Sequence, residues 1–127
     1  MGVQISVSND IALITMPSQY ELVDMVEIID FIHGHKDYGV PIADVRFVVY
    51  DCRAWEWYNV LGGELMELHF DPARPGATLF CGLHGHMGQA LEWWVQEICD
   101  SEERRSPLFF ASVEEGMDYV RLHPKKQ

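Results

Sequence analysis

Val3, Ile5 and Val7 alternate with Gln4, Ser6 and Ser8 at the start of the chain. Alternation at a period of two predicts a half-buried strand. Asn9-Asp10 supplies a turn, and Ile11 to Met16 reads as a second strand, so the chain opens on a hairpin that Pro17 ends. Leu22, Met25, Val26, Ile29 and Ile32 then recur at helical spacing, with Glu21, Asp24 and Glu27 on the other side. Ser18 and Glu21 predict a capping box for this helix, and Gly34 predicts its end. Arg46 to Asp51 predicts a third strand, and Val60 to Phe70 a short helix. Ala77 to Cys81, short and apolar, suits a strand covered on both faces. Leu83 to Gly88 reads as a loop of glycine and histidine. Gln89 to about Arg104 reads as a helix with Leu91, Trp94, Val95 and Ile98 on one face. Leu108 to Ala111, behind Pro107, is a fifth strand. Ser112 and Glu115 form a second capping box before a last short helix with Met117, Tyr119 and Val120.

The order β-β-α-β-α-β-α-β-α predicts an α/β fold: one mixed, mostly parallel, five-stranded sheet covered by about four helices. A length of 127 residues fits a single domain over residues 1–127. Twenty acidic residues against nine basic ones give a net charge of -11. That field repels nucleic acid and anionic membranes, so neither is expected as a partner. No apolar run is long enough to span a bilayer, and no signal-peptide pattern is visible. Three cysteines without a CxxC pair point to buried thiols in a reducing compartment, and so to the cytoplasm.

The chemistry-bearing stretch is Phe47 to Gly63. A strand ending at Asp51 runs into Trp55, Trp57 and Tyr58, then Asn59, Val60, Gly62 and Gly63 at a helix start. A strand end followed by a helix start is where open α/β sheets place their sites. The aromatics supply either a contact surface or pocket wall, or a plug over the core. Asn59 can cap the helix, and amides near Gly62 and Gly63 can face an anion or serve close packing. Cys52 follows the strand beside Arg53, which can lower a thiol pKa, although a small buried apolar role is the commoner outcome. His33-Gly34-His35 and His84-Gly85-His86 are two H-x-H pairs. With Asp37 or His69 they could form a metal site, or they are loop and helix-end histidines. Trp93 lies off the apolar face of its helix and is a candidate contact at a dimer surface.

The element order, with Phe47 to Gly62 and Leu108 to Val120, resembles the STAS domain, the sulfate-transporter and anti-anti-sigma-factor family, in its SpoIIAA-like branch. The family pattern is an apolar strand ending in Asp or Asn, a short loop, then Asp-Ser-Ser/Thr-Gly opening a helix. Asp51 matches the strand end, Asn59 the Asp and Gly62 the Gly. The position that accepts phosphate in anti-anti-sigma factors is Val60 here, followed by Leu61. Neither has a hydroxyl, so the phosphorylation switch is missing.

The resemblance implies a regulatory or protein-interaction module that is not an enzyme and needs no cofactor. Its site is expected at Asp51 and Trp55 to Gly63, facing His84 and His86. A protein partner and a homodimer are expected. The alternative is a carrier or sensor of a small apolar, lipid-like ligand, and a metal-dependent enzyme using the histidine pairs ranks below both.

Overall fold

A computed structural model describes residues 2–56, 60–69, 77–101 and 106–122. The chain begins with strands β1 (Gln4–Ser8) and β2 (Ile11–Thr15), which form an antiparallel hairpin. Asn9 sits in the left-handed region at φ 58 and makes the two-residue turn possible. Helix α1 (Leu22–Ile32), a single 3₁₀ turn (Ile42–Asp44) and strand β3 (Phe47–Asp51) follow. Then come α2 (Val60–Glu67), β4 (Ala77–Cys81), α3 (Gly85–Ser101), β5 (Leu108–Phe110) and α4 (Val113–Leu122).

The sheet order is β1-β2-β3-β4-β5, with β2 to β5 all parallel. Each crossover moves one strand along in the same direction. Right-handed crossovers of that kind put their helices on one face. Ile28 and Phe31 of α1, Leu65 and Met66 of α2, and Val95 and Cys99 of α3 accordingly share one core with Ile14, Val48, Tyr50 and Phe80. Helix α4, which follows the last strand, packs alone on the other face. There Val120, Met117 and Tyr119 meet Phe47, Val49, Leu79 and Cys81. The strand order never reverses, so the sheet has no topological switch point. The corner after β3 is therefore not a switch-point crevice.

Helix α1 starts later than its sequence suggests. Its N-cap is Glu21, not Ser18. Asp24 reaches back instead: one carboxylate oxygen accepts the Glu21 amide at 3.0 Å and the other the Val3 amide at 2.9 Å. The buried acid thereby ties the start of β1 to the first turn of α1. The other end follows expectation. His35 N–H donates to Asp30 O at 2.8 Å and Gly34 N–H to Phe31 O at 3.1 Å, with Gly34 at φ 78. This is the Schellman arrangement that glycine favours. The cap of α4 also forms: the Glu115 amide donates to Ser112 Oγ at 3.2 Å, and Glu115 Oε2 accepts from the Ala111 amide.

Candidate functional site

In a sheet of this topology, helices start at the carboxyl ends of the parallel strands. The turns after β2, β3, β4 and β5 therefore gather at one end of the molecule. Adjacent turns are stitched together: the Cys52 amide donates to Cys81 O at 2.8 Å, the Glu56 amide to Ser18 O at 3.1 Å, and the Gly82 amide to Phe110 O at 3.0 Å.

Asp51 organises this end. Its carboxylate accepts the Arg53 backbone amide at 3.2 Å, a two-residue turn typical of aspartate. It also grips the guanidinium with both oxygens, Nε at 2.9 Å and Nη2 at 2.7 Å. Those hydrogen bonds from Arg53 hold the Asp51 carboxyl below its usual range, against the opposing effect of burial. The Asp51 side chain is nearly buried while Arg53 lies mostly in solvent. The arginine stem runs over Gly82. A Cβ there would come within 2.9 Å of Arg53 Cγ, and Gly82 has φ 85. Both facts require glycine at that point.

The turn Cys52 to Trp55 closes with the Trp55 amide donating to Cys52 O at 3.2 Å. It aims the indole inward. Trp55 is 0% exposed and meets Tyr20 edge-on, with ring centroids 5.7 Å apart. The expectation that Trp55 belongs to a contact surface or an open pocket wall is thus corrected. The aromatic ring fills the core under the two adjoining turns, as its area favours. Trp57, Tyr58 and Asn59 lie outside the described residues. Val60 opens α2, and Gly62 and Gly63 lie in its first turn, as the helix expected from Val60 requires.

The thiols are not poised for chemistry. Burial pushes Cys52 well above the ordinary thiol range, and it pushes Cys81 up to about 12. The arginine beside Cys52 does not activate it, because the guanidinium is committed to Asp51. Cys99 is buried as well.

His84 precedes α3 and His86 lies in its first turn, where the sequence suggested a loop reaching Gly88. The first turn of a helix tolerates such residues because its amides have no intrahelical partner. Both histidines are exposed. His33 and His35 sit at the other end of α1, with ring centroids 6.1 Å apart and His35 Nδ1 3.7 Å from Asp30. Because α1 runs from the end of β2 back to the start of β3, the two H-x-H pairs are at opposite ends of the sheet. Eleven residues of helix separate those ends by about 16 Å. The pairs therefore cannot share one metal. Among the described residues no group of three or more His, Cys, Asp or Glu side chains could hold an ion. Trp93 is 64% exposed on α3, as its position off the apolar face predicts.

Two features escaped the sequence reading. The first is a buried polar chain. Tyr50 Oη lies 2.5 Å from His69 Nε2, and Thr78 Oγ1 lies 3.1 Å from His69 Nδ1. A neutral imidazole donates at one nitrogen and accepts at the other, so two hydroxyls satisfy it in either tautomer. Tyr50 also stacks on Phe80, with centroids 4.6 Å apart and planes 6° apart. The second feature is an apolar stripe on α1: Leu22, Val23 and Val26 are exposed. The helical spacing of Leu22 and Val26 counted toward a core face in the sequence, with Asp24 on the other side. The burial of Asp24 shows that the inward face is rotated, and a buried acid is the signal that periodicity alone discards. Two clefts bounded by described residues carry mostly polar linings, one with Ser18, Gln19 and Glu21, the other with Gln96, Glu97 and Asp100. Among the described residues no helix is long and apolar enough to cross a membrane.

No family model and no curated protein matches the chain.

Proposed function

We propose that the protein is a non-enzymatic interaction module of STAS type. It docks a protein partner through apolar side chains that its helices leave exposed at the carboxyl end of the parallel strands, and no covalent switch controls it. The observation that carries this reading is the first turn and a half of α1. Leu22, Val23 and Val26 are 64%, 68% and 50% exposed. Single exposed aliphatics are ordinary, but neighbours on one helix make a patch. Met87, 62% exposed in the first turn of α3, stands at the same end. A chain with twenty acidic residues has charge to spare for these positions and does not use it.

Further features support the reading. The buried histidine is tied to two hydroxyls, and the described thiols are buried. The element order supports the STAS comparison. The residue aligned with the family's phosphoacceptor, Val60, is the first residue of α2 and offers no hydroxyl.

The test uses the full chain as bait in its source cells, beside a Val23→Asp/Val26→Asp variant whose circular dichroism is unchanged. The expected result is a stoichiometric protein partner that the parent retains and the variant loses. Equal retention by both, or no partner on the parent, overturns the reading.

A further inference from the structure

The two edges of the sheet are built differently. β5 is three residues long and stands directly behind Pro107. Shortness and proline both blunt an edge. β1, Gln4-Ile5-Ser6-Val7-Ser8, has five residues without charge or proline. Among the described residues no strand lies beyond it. A chain of net charge -11 thus leaves one edge bare of the charges that usually keep edges apart.

The hairpin determines which backbone groups that edge presents. Ser8 faces Ile11 across the two-residue turn, and such a flanking pair is hydrogen-bonded. Bonding alternates along an antiparallel strand, so Ser8, Ser6 and Gln4 direct their backbone groups to β2. Ile5 and Val7 turn theirs outward. Val3 agrees with this alternation, since its amide is turned to Asp24 Oδ1.

We propose that β1 is a self-pairing edge: a second copy of this chain adds its own β1, antiparallel, about a two-fold axis at Ser6. In that register Ile5 faces Val7 of the second copy, and Val7 faces its Ile5. Both outward residues of each strand are then fully bonded, by four backbone hydrogen bonds. Apolar meets apolar on the face covered by α1, α2 and α3, Gln4 meets Ser8 on the other, and Ser6 meets Ser6. A slip of one residue pairs outward groups with inward ones and apolar with polar. A register centred on Ile5 needs the Val3 amide, which Asp24 already holds. One centred on Val7 needs Asn9, which is left-handed in the turn. The match is one that the strand makes with itself, which favours a copy over a foreign strand. Pairing also stops at two, because the outer edges of the dimer are the short β5 strands. Five residues a side is below the size of a standard stable interface, so the dimer is dissociable. The proposal does not rest on the docking reading above.

Ser6 is exposed, so substitutions there leave the core alone. Two Ser6 residues facing each other as a non-hydrogen-bonded pair bring their Cα atoms to about 4.5 Å, within disulfide reach. Gln4 and its copy are four residues out of register, roughly 13 Å apart. The native cysteines are buried and stay silent. The test is mild oxidation of Ser6→Cys, Gln4→Cys and Ser8→Cys, with sedimentation of the parent and of Ser6→Lys. The expected result is a covalent dimer from Ser6→Cys alone. The parent shows a concentration-dependent dimer, and Ser6→Lys, which opposes two ammonium groups, weakens it about tenfold or more with unchanged circular dichroism. A parent that stays monomeric up to millimolar concentration overturns the proposal, as does Gln4→Cys crosslinking as readily as Ser6→Cys.

Discussion

The two faces of the sheet solve different problems. The face under α1, α2 and α3 holds the large buried side chains, among them Trp55, Tyr20, Tyr50 and Phe31. It also holds the one buried imidazole among the described residues, satisfied by two hydroxyls. The face under α4 holds a thinner layer, and its helix comes so close that Gly116 lies against Cys81. The first face is stabilised by volume, the second by close approach. The contrast shows where a substitution leaves a hole and where it forces elements apart.

Four substitutions sharpen or break that contrast. Trp55→Ala acts on the volume-filled face and carries the largest expected effect. It removes a fully buried indole, and a loss of about 3–5 kcal/mol in chemical denaturation is expected. A loss below about 1 kcal/mol would return Trp55 to the surface.

Gly116→Ala probes the close-packed face, and two effects compete there. Helix propensity alone favours alanine by about 1 kcal/mol. The added Cβ, however, would stand 2.5 Å from Cys81 Sγ. Contact wins, so a net loss of about 1–3 kcal/mol is expected. Cys81→Ala in the same background recovers part of it, because the sulfur is gone. A stabilising Gly116→Ala would show that α4 packs loosely.

Thr78→Val keeps volume and removes the hydroxyl at His69 Nδ1. The expected cost is about 1–2 kcal/mol in urea unfolding, for a buried polar group deprived of a partner. No change would mean that the polar chain is incidental to stability.

Asp51→Asn has the smallest effect, and its signature is in pH. Hydrogen bonds from Arg53 lower the folded pKa of Asp51, whereas the unfolded value is about 3.9. Its contribution is therefore fully present above that value and is lost as the pH falls through the lower folded pKa. The stability gap between parent and Asp51→Asn narrows as the pH falls below about 4, measured by urea midpoints across the acid range. A gap independent of pH would mean that the ion pair carries no stability.

The strands were the most legible part of the chain. Alternation found β1, and the apolar run Ala77 to Cys81 gave β4 with its bounds. Local chemistry placed the N-terminal cap of α4 and the end of α1. The failures have physical causes. Ser18 matches a capping pattern, but Tyr20 is drawn into the core against Trp55, so the helix waits for Glu21. Glycines and histidines before α3 suggested a loop, although a first turn needs no helical propensity to form. Composition told that the corner after β3 is aromatic, but could not tell which way Trp55 turns. That is set by the turn that the Trp55 amide closes on Cys52 O, held in place by backbone bonds from Cys52 to Cys81 and from Glu56 to Ser18. Tyr50, His69 and Thr78 have no telling spacing, since strand pairing and the end of α2 bring them together.

Stability is carried by the buried corner at Trp55, whereas the docking proposed above uses the open stripe on α1, which the core does not need. The most direct measurement is the urea midpoint of a Leu22→Ser/Val26→Ser variant. The predicted result is stability within about 0.5 kcal/mol of the parent, as for exposed positions. A loss of several kcal/mol, like that expected for Trp55→Ala, would contradict the claim and make the stripe on α1 part of the core.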